Sequence, residues 1–176
     1  MADKKPRGLR PWLDDIRLDG SGNYAYQGSH LQFSGDANWF HRFKIRLGIL
    51  VGVLIASAIV AGCLNVGELD NTALVLIPYM LEIIFTAAFA WAAIRLLSSS
   101  SIMRSYIHKQ TAGRLPVLSL LLAVAGAATA VCAAVFMMLK EAWSVTGVCC
   151  LVLHLLVCAA ALLAYRVLRS ASWKPI

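Results

Sequence analysis

Glu82 and His154 are the residues of this chain whose type and position could do chemistry. Each lies deep within a long apolar run, Glu82 ten residues beyond Thr72 and His154 twelve beyond Ala142. At 1.5 Å of rise per helical residue, those offsets put them at depths of about 15 and about 18 Å. If both runs are helices crossing in the same direction, the two side chains can meet near the middle of a bilayer. A lone charge there costs at least about 2.5–3.5 kcal/mol, so such groups are expected to be paired. Two chemistries follow. Glu82 could exchange a proton or bind a cationic group with His154 as its partner. Alternatively, a neutral Glu82 could hydrogen-bond to His154, Tyr79 or Thr86 and lock a bundle.

Pro78 stands four residues before Glu82. Proline lacks a backbone donor and can kink a helix, which would expose a carbonyl beside the carboxyl group. Transporters build binding sites from broken helices of this kind, but membrane helices also tolerate proline without consequence. The five cysteines, Cys63, Cys132, Cys149, Cys150 and Cys158, all fall in apolar runs and read as small packing residues. Adjacent Cys149-Cys150 is not a C-x-x-C redox pair, and no Cys/His cluster has zinc-type spacing. No G-x-S-x-G elbow, H-E-x-x-H helix or phosphate-binding glycine loop occurs. The sequence therefore predicts no enzyme, no metal and no cofactor.

The elements that must position Glu82 and His154 are four apolar runs, 45–66, 72–97, 116–139 and 142–168. Each exceeds the roughly 20 helical residues that cross a hydrocarbon core. The chain has 176 residues, 60% apolar and 14% charged, with a mean hydropathy of +0.72. A soluble domain is about 45–50% apolar and about 25% charged, so this composition excludes a soluble enzyme and a disordered chain. The net charge is +7, which beside apolar spans points to a membrane surface rather than to nucleic acid. Four spans and a membrane glutamate resemble the small multidrug transporters, whose acid, however, sits in the first helix, whereas Glu82 is in the second.

Basic residues set the orientation. With the N-terminus inside, 15 of the 16 Lys and Arg lie on or flank the inner side, and only Lys140 lies outside. The outer loops instead carry Glu68, Asp70 and Glu141. By the positive-inside rule both termini are expected to be cytoplasmic, and the expected location is a bacterial-type plasma membrane. No cleavable signal peptide is expected, because 44 residues precede the first apolar run.

Residues 1–44 form a cytoplasmic tail. Ile16-Arg17-Leu18, then Tyr24-Ala25-Tyr26, then His30-Leu31-Gln32-Phe33 alternate in period two between Gly-, Asp- and Ser-rich turns, which predicts a short β-meander. Tyr24, Tyr26 and Phe33 are candidate docking residues on it. Asp36 could cap a helix from Ala37, with Trp39, Phe40 and Phe43 as anchors at the headgroup level. Small residues in the spans, Gly48 and Gly52 above all, suit close helix packing within one bundle or between copies.

The expected fold is an all-α membrane protein: a four-helix transmembrane bundle over 45–168, with the tail at 1–44 and a C-terminal tail at 169–176. The leading functional expectation is a non-enzymatic accessory or assembly subunit of a larger membrane complex. Its motive is the absence of soluble domains beside a docking-sized tail. The alternative is a small proton- or cation-linked transporter using Glu82, working as an oligomer. The expected partners are the lipid bilayer and a membrane-protein subunit or further copies of the chain.

Overall fold

The computed structural model describes residues 16–18, 24–26, 29–64, 72–141 and 143–176. It is mostly helical, and four helices are long and apolar enough to cross a membrane. These are α1 (Ala37–Cys63), α2 (Ala73–Leu97), α4 (Leu115–Leu139) and α5 (Val145–Arg169), with a short α3 (Ser105–Gln110) before α4. Their outer faces remain apolar, as Ile49, Ile84, Trp91, Val124, Val131 and Leu163 show. A helix that is apolar all round suits lipid rather than water.

Helix ends follow local chemistry. The Asp36 carbonyl accepts the Phe40 N–H at 3.0 Å, and α1 runs on without a break, so the aromatic stretch at 37–44 and the first span are one helix. The fourth helix begins at Val145 rather than 142, because the Ser144 side chain accepts the Gly147 N–H at 3.0 Å and caps it there. Pro116 sits in the first turn of α4, where a missing donor costs nothing. Pro78 lies inside α2, which continues past it.

The helices pack in a ring. α1 lies against α2 and α5, and α4 lies against the same two, so α2 and α5 face each other across a diagonal. The tightest approach is at Gly126 on α4. A Cβ there would stand 3.2 Å from the His154 carbonyl oxygen and 3.3 Å from the Cys158 nitrogen. The missing side chain thus lets α4 close onto the very turn of α5 that carries His154. Alanines complete this seam, with Ala133, Ala161 and Ala164 fully buried. Gly52, by contrast, has nothing within 4 Å of its would-be Cβ.

The extended segments differ from an unbroken meander. β1 (Ile16–Leu18) and β2 (Tyr24–Tyr26) pair antiparallel, Ile16 opposite Tyr26. β3 (His30–Phe33) instead forms the centre of a second sheet, between β4 (Ile102–Arg104) and β5 (Trp173–Pro175). Leu31 is opposite Met103 on one side and Pro175 on the other. The physical reason is Phe33. Its ring is buried and meets Trp39, Phe40, Phe43 and Trp173 at centroid distances of 4.8, 4.9, 5.9 and 5.2 Å. The aromatic cluster draws β3 down to the start of α1, where the chain leaving α2 and the chain leaving α5 supply its two neighbours. Lys44 ties the same region together, donating to the Ser99 carbonyl at 2.6 Å. The segments before α1, after α2 and after α5 therefore share one end of the bundle.

Candidate functional site

Glu82 on α2 and His154 on α5 are the paired ionisable groups of the bundle interior, with relative exposures of 0% and 2%. Helical spacing brings them level, and the Gly126 contact presses α5 inward at that turn. The Nδ1 of His154 lies within hydrogen-bond distance of both carboxyl oxygens of Glu82, at 2.9 Å from Oε2 and 3.1 Å from Oε1. The link spans the diagonal of the ring, so it joins two helices that the backbone packing leaves apart.

The second ring nitrogen has its own partner. Cys150 lies one turn before His154 on the same face of α5, and its Sγ is 3.4 Å from Nε2. When Nδ1 carries its proton toward the carboxylate, Nε2 is left as acceptor for the thiol, and this tautomer satisfies both contacts. The result is a line of three groups, thiol to imidazole to carboxylate. Because the imidazole uses opposite nitrogens for its two neighbours, the three cannot converge on one metal ion. Among the described residues no cluster of three or more His, Cys, Asp or Glu is arranged to hold one.

Tyr79 closes the site on one side. Its ring stands edge-on to His154 at 5.5 Å, and its hydroxyl donates to the Ala58 carbonyl at 2.9 Å, tying α2 to α1. The fit against α1 is close: a Cβ on Gly62 would come within 2.3 Å of the Tyr79 oxygen. Beside Tyr79 a pocket of about 210 Å³ opens at the end of the bundle away from the three-stranded sheet. Ala61 and Gly62 of α1, Val75 and Leu76 of α2, and Cys150 and His154 of α5 line it. Water occupies about 30 Å³ per molecule in the liquid, so the pocket has room for several.

Thr86 lies one turn beyond Glu82 toward the sheet. It is buried, and its Oγ1 is the one buried side-chain oxygen or nitrogen without a hydrogen-bond partner among the described residues. An unsatisfied buried hydroxyl costs about 1–3 kcal/mol, so the Thr86 hydroxyl is a place where a water molecule or a proton-carrying group can bind beside the ionisable pair.

The remaining sequence candidates lie elsewhere. Pro78 sits one turn before Glu82 in an unbroken α2. Phe33 and Phe43 are buried in the aromatic cluster at the sheet end, Phe40 is half-buried there, and Trp39 is 38% exposed. The side chains of Tyr24 and Tyr26 lie outside the described residues. Sequence reasoning missed Cys150, which it grouped with the packing cysteines. The available signal was the four-residue spacing to His154, which puts thiol and imidazole on one helical face.

Comparison with family models, curated proteins and solved structures finds no match to the chain.

Proposed function

We propose that this chain is a small proton- or cation-linked membrane carrier whose ionisable centre is the Glu82–His154 pair. The observation that carries this reading is the pair itself: a buried carboxyl and imidazole joined at 2.9 Å across the bundle, with a pocket reaching the imidazole from one end. Access from the other end would pass Thr86, whose unpartnered hydroxyl offers a step between Glu82 and the sheet. Tyr79 lines the pocket together with His154 and stands edge-on to the imidazole, where its ring can widen or narrow access to the pair. In the bilayer the sheet end faces the cytoplasm, because the basic residues concentrate in the segments that share it. Four helices enclose little volume, which favours a carrier assembled from several copies.

The test is proton flux into liposomes holding the purified protein. The expected outcome is a pH-gradient-driven flux that Glu82→Gln abolishes while the variant stays folded. Undiminished flux in folded Glu82→Gln would remove Glu82 from the mechanism.

The accessory-subunit reading keeps one observation in its favour. Among the described residues, β1 and β2 form a two-stranded sheet of their own, and exposed strand edges are sites where a partner strand can add. Its motive is weaker for β3, which the protein uses internally. Co-purification from native membranes separates the two, since a stoichiometric foreign subunit lost on deleting residues 16–26 would favour the accessory role.

A further inference from the structure

We propose that Cys150 is a nucleophilic thiol with His154 as its general base and Glu82 as the group that orients the base, and that the adjoining pocket takes an acyl ester whose chain lies in the membrane. The proposal uses the pair assigned above to proton coupling but does not require flux.

A thiol attacks well only when a base accepts its proton and a third group holds that base in the right orientation. All three parts are present. The Cys150 Sγ is 3.4 Å from Nε2, and Nδ1 is fixed by two contacts to one carboxyl group. The imidazole is held further by the Tyr79 ring and by the close approach of α4 at Gly126. The neighbouring cysteine supplies the contrast. Cys149 is exposed on the outer face of α5, whereas Cys150 is buried with its sulfur against the base.

The pocket argues for the class of substrate. Cys150 and His154 both line it, and its other walls are apolar apart from Tyr79. Leu76 and Gly62 on its rim are exposed on the outer surface of the bundle, so an apolar chain can enter sideways. Depth agrees with this. Cys150 is five residues into α5, about 8 Å from its start at 1.5 Å per residue. The helix has 25 residues, so it is about 37 Å long, and centring it on a core of about 30 Å leaves roughly 4 Å outside at each end. The sulfur then lies about 4 Å below the hydrocarbon boundary, close to the level where an ester linking an apolar chain to a polar group has its carbonyl.

The step balances without an oxidant or reductant. Sγ forms a bond to the carbonyl carbon as its proton passes to Nε2, and the Glu82 carboxylate stabilises the resulting imidazolium. The C–O bond to the alcohol breaks, and the alcohol leaves with the proton from Nε2. An S-acyl Cys150 remains. Water in the pocket releases the acid from it, giving one proton to Nε2, and the thiol recovers that proton.

The experiment uses the full chain in lipid nanodiscs without a pH gradient, so its result and that of the flux assay stand or fall separately. The first probe is N-ethylmaleimide, with tandem mass spectrometry following alkylation of Cys149 and Cys150 as separate positions. Cys150 is expected to react on the order of tenfold faster than Cys149 despite its burial, and His154→Gln to cancel that advantage. The second probe is p-nitrophenyl octanoate. It should release a burst of nitrophenol and leave an octanoyl group on Cys150 that hydroxylamine removes. Cys150→Ser should abolish both the burst and the thioester. The wild-type comparison needs no variant. A Cys150 that reacts no faster than Cys149 overturns the activated thiol, and an alkylated Cys150 that never carries the octanoyl group overturns the acyl chemistry.

Discussion

Replacing His154 by leucine in the presence of Glu82 removes one half of a buried pair and leaves the other half stranded. The geometry sets the size of the effect. Once His154 has taken up a proton, two unit charges at 2.9 Å and an effective dielectric near 20 attract by about 6 kcal/mol. Bringing both ions out of water costs several kcal/mol each, so the net worth of the intact pair is close to zero. Breaking it is a different matter, because the survivor has no partner, and such single replacements cost about 3–5 kcal/mol. His154→Leu should therefore destabilise the bundle by about that amount. Glu82→Leu should do the same, whereas the double variant Glu82→Leu/His154→Leu should recover most of the loss. Glu82→Gln should be mild in stability terms, since its amide still hydrogen-bonds with the imidazole. The assay is reversible denaturation of all four proteins in mixed micelles, arranged as a double-mutant cycle. Additive losses, with a coupling energy near zero, would refute the account of the pair as one interacting unit.

Three further outcomes follow from the packing. Gly126→Val should push α4 off α5 and misplace His154, because even a Cβ would stand 3.2 Å from backbone; loss of stability together with slowed alkylation of Cys150 would report it. Phe33→Ala removes the hub of the aromatic cluster and should cost about 3–5 kcal/mol of local stability. Hydrogen exchange should then speed up in 30–33, 102–104 and 173–175 and remain slow in the four long helices. Glu141 has a φ of 51° in the turn between α4 and α5, so Glu141→Gly should relieve strain and raise stability by up to about 1 kcal/mol, while Glu141→Val should lower it, as thermal denaturation would show.

Much of the helical frame was legible in the sequence because lipid imposes a length and an apolarity that few other environments demand. The runs at 72–97 and 116–139 differ from α2 and α4 by one residue at a single end. The start of α5 was less legible, since Trp143 reads as apolar and only Ser144 marks the cap. Level depth alone made the meeting of Glu82 and His154 expectable, because rise per residue converts sequence offset into position. The sheet was harder. β4 and β5 are three residues each, too short for alternation to show, and their pairing with β3 joins segments far apart in sequence, Leu31 with Met103 and Leu31 with Pro175. Cys150 was hidden by its surroundings: a cysteine among leucines, valines and alanines has the character of a packing residue until the imidazole on the next turn is seen.

The most direct measurement is infrared difference spectroscopy of the protein in lipid across a pH titration, reading the carboxyl stretch of the wild type against Glu82→Gln. If Glu82 and His154 form a proton-exchanging centre, the wild type will show a titrating carboxyl band that Glu82→Gln lacks, and its position will shift in His154→Gln. The same band in Glu82→Gln, or no titrating band in the wild type, would contradict the account.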